Sequence, residues 1–309
     1  MSALNQAQFR TAAKARTYLE RIRWPQGPIC SHCGSVSKDH YKLEGEAHRE
    51  GLWKCRDCRE QFSVTVGTVF ERSKIALNVW LQAVYLLCSS KKGMSSHQLH
   101  RILGVTYKTA WFMTHRIREA MKANPSGLLG GGGKIVEADE TYFGTKTGKS
   151  LKGKKGGNAH KAMNKIVSLV ERDGEVRSFH VADVSGTNLK AVLYNQIAKD
   201  SHVVTDASPR YNQVKRERAF DKYEHVNHSI GEYARGIAHT NTVEGYFSIL
   251  KRGLKGTYHH VSSEHLPRYT NEFDFRYNLR TVNDGQRADE ALRQITGKRL
   301  TYRRTHEAA

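Results

Sequence analysis

The 309-residue sequence predicts an α/β domain preceded by a small β metal module and a short helical segment. Three observations carry that prediction. Two C-x-x-C pairs lie near the N-terminus, two short amphipathic helices with recognisable caps follow, and beyond a run of four glycines come strand-like stretches with isolated acids in or at the end of them. The expected organisation is an N-terminal helix over 1–24, the metal module over 25–72, the helical segment over 73–124, a Gly-rich linker over 125–133, the α/β domain over 134–285 and a basic C-terminal tail over 286–309.

Charge narrows the class of partner. Lys and Arg number 50 against 30 Asp and Glu, a formal net charge of +20. An excess of that size points first to a polyanion, DNA or RNA, over a merely soluble basic protein or one bound to a membrane surface. No apolar run approaches the ~18–20 residues that a membrane span needs. The amphipathic N-terminus lacks the apolar core of a signal peptide, so an intracellular, cytoplasmic protein without a membrane partner is expected.

Cys30-Ser31-His32-Cys33 and Cys55-Arg56-Asp57-Cys58 each form a tight knuckle. Two such knuckles on adjacent hairpins complete a tetrahedral four-thiolate Zn²⁺ site with no open position, and Gly34 supplies the positive φ that follows the first. The flanking stretches Tyr41–Leu43, Gly51–Lys54 and Gln61–Val64 read as short strands, which makes the module a zinc ribbon. A closed site is structural, so this zinc stabilises folding. One C-x-x-C in a βαβ setting would instead suggest redox chemistry. His32 reads as a solvated knuckle residue, and Cys88, inside an apolar run, as a buried core thiol.

Ser95 is placed to cap a helix carrying Leu99, Ile102 and Leu103 that ends at Gly104. Thr106 then opens a second helix with Ala110, Trp111, Met113, Ile117 and Met121. This is the pattern of a helix-turn-helix, and it puts Lys108, Thr109, His115, Arg116 and Arg118 on the exposed face of the recognition helix. A plain helical bundle with a solvated basic face is the alternative. Pro125 to Gly133 then reads as a flexible break between domains.

In the α/β part, Lys134 to Phe143 reads as a strand with Asp139 in its middle and Glu137 on the same face. Lys165–Val170 and Glu175–Val181 form a hairpin through Arg172-Asp173-Gly174. A helix over Asn188–Ala198 precedes a short apolar strand ending on Asp206. Glu244 sits on a later helix, about two turns before Lys251 and Arg252. The order of three strands, helix, strand, helix and final helix is that of a ribonuclease-H-like fold. Such a fold gathers Asp139, Asp206 and Glu244 at one edge of the sheet. Three carboxylates there can hold two divalent metals that activate a water or a 3′-hydroxyl. Glu140 points to the opposite face. His239 can stabilise a leaving group or simply bond to the backbone. Asn227-His228 and His259-His260 read as DNA contacts or local hydrogen bonds, because Mg²⁺ prefers oxygen. The Gly- and Lys-rich stretch 146–157 lacks a Walker pattern and reads as a mobile basic loop.

From about Trp24 to Arg280 the chain resembles the DDE transposases of bacterial insertion sequences that carry an N-terminal zinc ribbon, the branch related to the eukaryotic Merlin elements. The resemblance rests on the cysteine pairs, on Val136–Tyr142, on Thr205-Asp206, on Val226–Ser229, on His239–Gly245, and on Leu250–Gly253 continuing through Gly256–Ser262. It implies Asp139 and Asp206 as the two aspartates, Glu244 as the third acid, Mg²⁺ (or Mn²⁺) as the catalytic cation, and Lys251 as the basic residue past that acid. Some members carry Asn as the third residue, which leaves Asn241 as a competitor; a carboxylate is the better Mg²⁺ ligand. Phe143-Gly144-Thr145 stands where a Gly-Gly pair is commoner. The function implied is a transposase of the bacterial nucleoid, a dimer or higher oligomer that binds terminal inverted repeats, cleaves the ends and joins them to target DNA. A DNA-binding regulator or domesticated derivative without strand transfer, and a structure-specific nuclease, are the rival readings.

Overall fold

The computed structural model describes residues 3–125, 127–146, 149, 152–153 and 157–301. The chain divides into two compact units, one of residues 1–122 with 282–309 and one of residues 123–281. Among the described residues no helix is long and apolar enough to cross a membrane.

In the first unit, α1 (Ala12–Arg23) begins where the Thr11 hydroxyl accepts from the Lys14 amide, and it buries Ala15 and Leu19. The ribbon is the antiparallel sheet β1 (Tyr41–Leu43), β2 (Leu52–Lys54) and β3 (Gln61–Phe62), with Trp53 paired to Phe62. Trp24 packs edge-on against both rings. Three helices follow: α2 (Leu77–Ser89), α3 (Ser96–Leu103) and α4 (Tyr107–Ala120). Ser95 caps α3 through the Gln98 amide, Gly104 closes it in the left-handed conformation at φ 65°, and Thr106 caps α4 through the Thr109 amide.

Two expectations change here. Residues 286–309 are not simply a tail. A helix at Asp284–Arg293, opened by an Asn283–Gln286 capping box, buries Ala288, Ala291 and Leu292, and Tyr18 donates to Asp289. Their spacing is that of an amphipathic helix, and packing that stripe removes apolar surface from water. Residues 302–309 lie outside the described residues. The second change concerns α4. His115, Arg116 and Arg118 are buried rather than exposed, because the C-terminal half of α4 is enclosed on more than one side. Arg116 donates to the Leu300 and Glu71 carbonyls, and Arg118 to the Thr114 hydroxyl.

The second unit is a five-stranded sheet in the order β6-β5-β4-β7-β8. It comprises β4 (Ile135–Thr145), β5 (Met163–Glu171), β6 (Val176–Val181), β7 (His202–Asp206) and β8 (Lys222–Val226). The first three run antiparallel, and β7 and β8 run parallel to β4, which is the ribonuclease-H-like arrangement. The short α5 (Gly157–Ala162) leads into β5. One face of the sheet packs Val136, Ala138, Val167 and Leu169 against α6 (Gly186–Gln196) and α7 (Asn212–Glu217). The other packs Phe143, Ile166 and Val170 against α8 (Asn241–Gly253) and α9 (Leu266–Asn278).

The four glycines are a built turn, not a flexible linker. Gly130 to Gly133 all have positive φ, which residues with a Cβ resist. Their amides donate to the Glu171 carboxylate, the Ser201 hydroxyl, the Asp200 carboxylate and the Asp200 carbonyl. A Cβ on Gly130 would stand 2.1 Å from Ser201 Oγ. Local composition signals freedom; the partners that remove it lie 41 to 70 residues away in sequence. The stretch 146–157 falls partly outside the described residues, and no conformation is assigned to it as a loop.

Candidate metal centres

In the first unit the four cysteine sulfurs come together, each within 4.8 Å of the others. Cys30 and Cys58 lie 3.6 Å apart and Cys33 and Cys55 3.7 Å apart. His32 points away to the Gln61 carbonyl at 3.1 Å. His40, which the sequence reading passed over, lies 4.0 Å from Cys55, holds the Ser35 carbonyl and accepts from the Arg56 amide. It braces both knuckles. Four soft thiolates in a closed tetrahedral set fit zinc.

In the second unit, register decides which acids meet. Ala138 pairs with Thr205 in parallel, so the next step along both strands brings Asp139 beside Asp206, on the face that α8 covers. Adjacent strands are ~4.8 Å apart. Asp139 accepts from the Glu140 amide at 2.7 Å and Asp206 from the Ser208 amide at 3.1 Å. Glu244 lies in the first turn of α8, its carboxylate held by the Thr240 hydroxyl at 2.9 Å with His228 at 3.6 Å. Asn241, the first residue of α8, is exposed. Lys251 and Arg252 sit in the last turn of the same helix.

Electrostatics tie the three acids together. Burial pushes the Asp139 carboxyl up to about 8, and the negative charges of Glu140, Asp206 and Glu244 push in the same direction. Glu140 is itself neutralised on the other face by Arg210 and the Tyr211 hydroxyl. Asp139 and Asp206 have backbone amides for partners, and these do not cancel a buried charge. Hard oxygen donors crowded in this way suit a divalent cation such as Mg²⁺. The acids are more loosely set than the thiolates, since among the described residues they do not form a set within 4.8 Å.

One residue named only for its face turns out to organise this edge. Glu137, fully buried, accepts from the Thr242 amide at 2.8 Å, the Thr242 hydroxyl at 2.8 Å and the Val243 amide at 3.0 Å. It thereby takes up the unpaired amides at the N-terminus of α8 from a different element. Arg172 Nε donates to it at 2.6 Å and also reaches the Ile237 and His239 carbonyls. His239 Nδ1 stands 3.3 Å from the same carboxylate, so this histidine faces Glu137 and its own carbonyl faces Arg172. The available signal was a carboxylate two residues before Asp139 in a buried strand, which demands a cation and donors.

Comparison with known proteins followed the same division. The chain matches the transposase zinc-ribbon domain over residues 10–61 and the ISXO2-like transposase domain over residues 128–278. It is 30% identical over 283 residues to a protein in the transposable element ISH50 of Halobacterium salinarum, covering 87% of this chain and 91% of the relative. Among solved structures, a chain of the simian T-cell lymphotropic virus intasome in complex with a PP2A regulatory subunit is similar at 14% identity, over 65% of this chain and 69% of that one, with a TM-score of 0.30. The pre-cleavage Mos1 transpososome is similar at 12% identity, over 89% and 93%, with a TM-score of 0.23. TM-scores of this size carry no argument; the fold assignment rests on strand order and register.

Proposed function

The chain belongs to the ISXO2-like transposases with an N-terminal zinc ribbon, and on that premise we propose that it cleaves the ends of an insertion sequence and joins them to target DNA. The observation that carries the mechanism is the half-buried Asp139 carboxyl on β4, with Asp206 on the adjacent strand and Glu244 on α8 adding their negative charge. These three residues would hold the catalytic Mg²⁺ ions, for which Mn²⁺ can substitute. Bound there, the metals would supply Lewis-acid stabilisation of a phosphodiester undergoing attack.

The chain's own groups do the rest. Asp139 and Asp206 are presented side by side by the sheet, and Thr240 orients the Glu244 carboxylate. Glu137 and Arg172 fix the start of α8, and Lys251 and Arg252 at its end offer charge to backbone phosphates. Glu244 is favoured over Asn241 as the third ligand because a carboxylate is the better Mg²⁺ ligand. His239, with Nδ1 3.3 Å from Glu137, fits a positioning role at the start of α8 better than one on the leaving group. In the first unit, exposed Lys108 and half-buried Thr109 at the start of α4 remain candidates for DNA contact, whereas the burial of Arg116 removes it. Synapsis of two ends implies a dimer or higher oligomer on DNA.

The test uses duplexes carrying the element's ends. Asp139→Asn and Asp206→Asn should retain end binding and lose cleavage by about 10²–10³-fold, the loss expected for one preorganised electrostatic group. Glu244→Gln should behave alike and Asn241→Ala should not. Cleavage retained in the aspartate variants would remove the assignment. End binding and cleavage without joined donor–target products would reduce the protein to a nuclease.

A further inference from the structure

A second charged site lies on the same sheet, farther along β4. There Lys146, Asn164, His180, Val181, Ala182 and Ser263 line an open cavity of roughly 390 Å³. Asn164 pairs with Phe143, four residues past Asp139, so the cavity begins ~14 Å from the acid along the strand and on the same face.

The floor of the cavity is polar and incompletely satisfied. Asn164 is fully buried; its Oδ1 stands 3.2 Å from His180 Nε2, which must therefore donate, and among the described residues its Nδ2 has no hydrogen-bond partner. A buried amide donor without an acceptor is costly unless a ligand completes it. Gly144, in the left-handed conformation at φ 53° beside the β4 bulge, leaves space over Nδ2, which a built Cβ would meet at 4.0 Å.

One cation, Lys146, lines the cavity with that donor, while Lys165 alternates to the opposite face of β5. Lys146 Nζ reaches the Ala182 carbonyl at 2.7 Å, and the buried Lys165 beside it reaches the Met163 carbonyl at 3.3 Å. Burial and then the neighbouring Lys146 ammonium hold Lys165 below its ordinary range; burial followed by both lysines does the same to His180. Asp183 and Glu264 are the nearby acids, and the Asp183 carboxylate already accepts from the Ser185 amide and the Asn188 side chain. A lysine beside a bare buried amide N–H is the counterpart of the crowded carboxylates at Asp139.

We propose that this cavity is a phosphate-binding subsite that holds a DNA backbone phosphate away from the reacting bond, with Lys146 and Asn164 Nδ2 as the donors and His180, whose Nε2 proton is held by Asn164 Oδ1, joining them through Nδ1 when the phosphate's charge draws a proton onto it. A duplex threaded past the acids has phosphates at this range, and a contact to the backbone fixes register without reading sequence. The inference rests on the DNA-transaction reading above and adds a specific contact to it.

The experiment uses the full-length protein and two probes, inorganic phosphate and a fluorescein-labelled random-sequence duplex. In the wild type, the NMR titration midpoint of His180 should rise when duplex is added. Lys146→Ala should weaken duplex binding about tenfold, the worth of one charge-assisted hydrogen bond, and reduce the salt slope by about one. Asn164→Asp should weaken it further, and His180→Gln covers the case in which that buried change prevents folding. A rise of the midpoint with inorganic phosphate but not with duplex overturns the DNA assignment in favour of a free-anion site. An unmoved midpoint with an unchanged salt slope in Lys146→Ala overturns the site altogether. A wild-type protein that binds no duplex overturns the functional reading as well, so the two failures are distinguishable.

Discussion

The two candidate metal centres are built by opposite strategies. The thiolates come from two knuckles, each closed by local backbone geometry, and the set is tight, with sulfurs 3.6 and 3.7 Å apart. The carboxylates come from three remote elements, two strands in parallel register and the first turn of a helix. Tight closure excludes substrate and yields stability. A loose, partly buried set keeps positions open for water and phosphate, at the cost of crowding negative charge. On the proposed function, that contrast would separate a structural ion from a working one within one chain.

Removing zinc should have the largest effect. The binding free energy of a structural zinc is on the order of 10 kcal/mol, and in a module this small it is folding free energy. Chelation, or Cys55→Ser, should unfold the ribbon while the ribonuclease-H-like unit keeps its own cooperative transition. Calorimetry with metal analysis reads this; an unchanged melting profile in zinc-free protein would mean that the knuckles close without the ion.

Next in size is Glu137→Ala, which strands Arg172 and the first amides of α8. Breaking a buried pair costs about 3–5 kcal/mol, and outer contacts of metal ligands typically matter 10–100-fold in affinity or rate. Glu137→Gln retains one acceptor and should lose less of both. If Glu137 positions α8, Mn²⁺ affinity should fall in the variants in step with cleavage. A loss of stability with unchanged Mn²⁺ affinity in the folded fraction would restrict Glu137 to a structural role.

What could be read from the sequence follows the same division. The cysteines, the Ser95 and Thr106 caps and the left-handed Gly104 are local features whose physical causes lie within a few residues. Asp139 and Asp206 could be nominated because strand acids are expensive to bury, Glu244 from its helical spacing to Lys251 and Arg252, and the order of strands and helices suggested their convergence. Long-range partners were invisible. Nothing near Arg116 announces the Leu300 and Glu71 carbonyls that bury it, and nothing near Gly130–Gly133 announces Asp200 and Ser201. Glu137 shows both sides of this: its cost could be foreseen, but its hold on α8 depends on residues more than a hundred positions later. The helix at Asp284–Arg293 was legible in its Ala288, Ala291, Leu292 spacing, a stripe of small residues set among charged ones.

The smallest predicted effect bears most directly on the open site. A carboxyl raised to about 8 from an ordinary value near 3.8 binds a proton in the folded state that the unfolded chain has released. Across that window the folded state carries more protons, so Asp139 makes stability fall as pH rises from about 4 to about 8 in metal-free protein. A divalent cation reverses the preference, because it binds the carboxylate and expels the proton. Titrating Mg²⁺ at pH 7 in buffers of differing ionisation enthalpy should therefore show release of close to one proton, and Asp139→Asn should abolish it. The zinc-site variant Cys55→Ser should leave that release unchanged, since its thiols belong to the other unit. Proton release that persists in Asp139→Asn would mean that another group carries the crowding, and the contrast between a closed and an open metal centre would have to be drawn from a different acid.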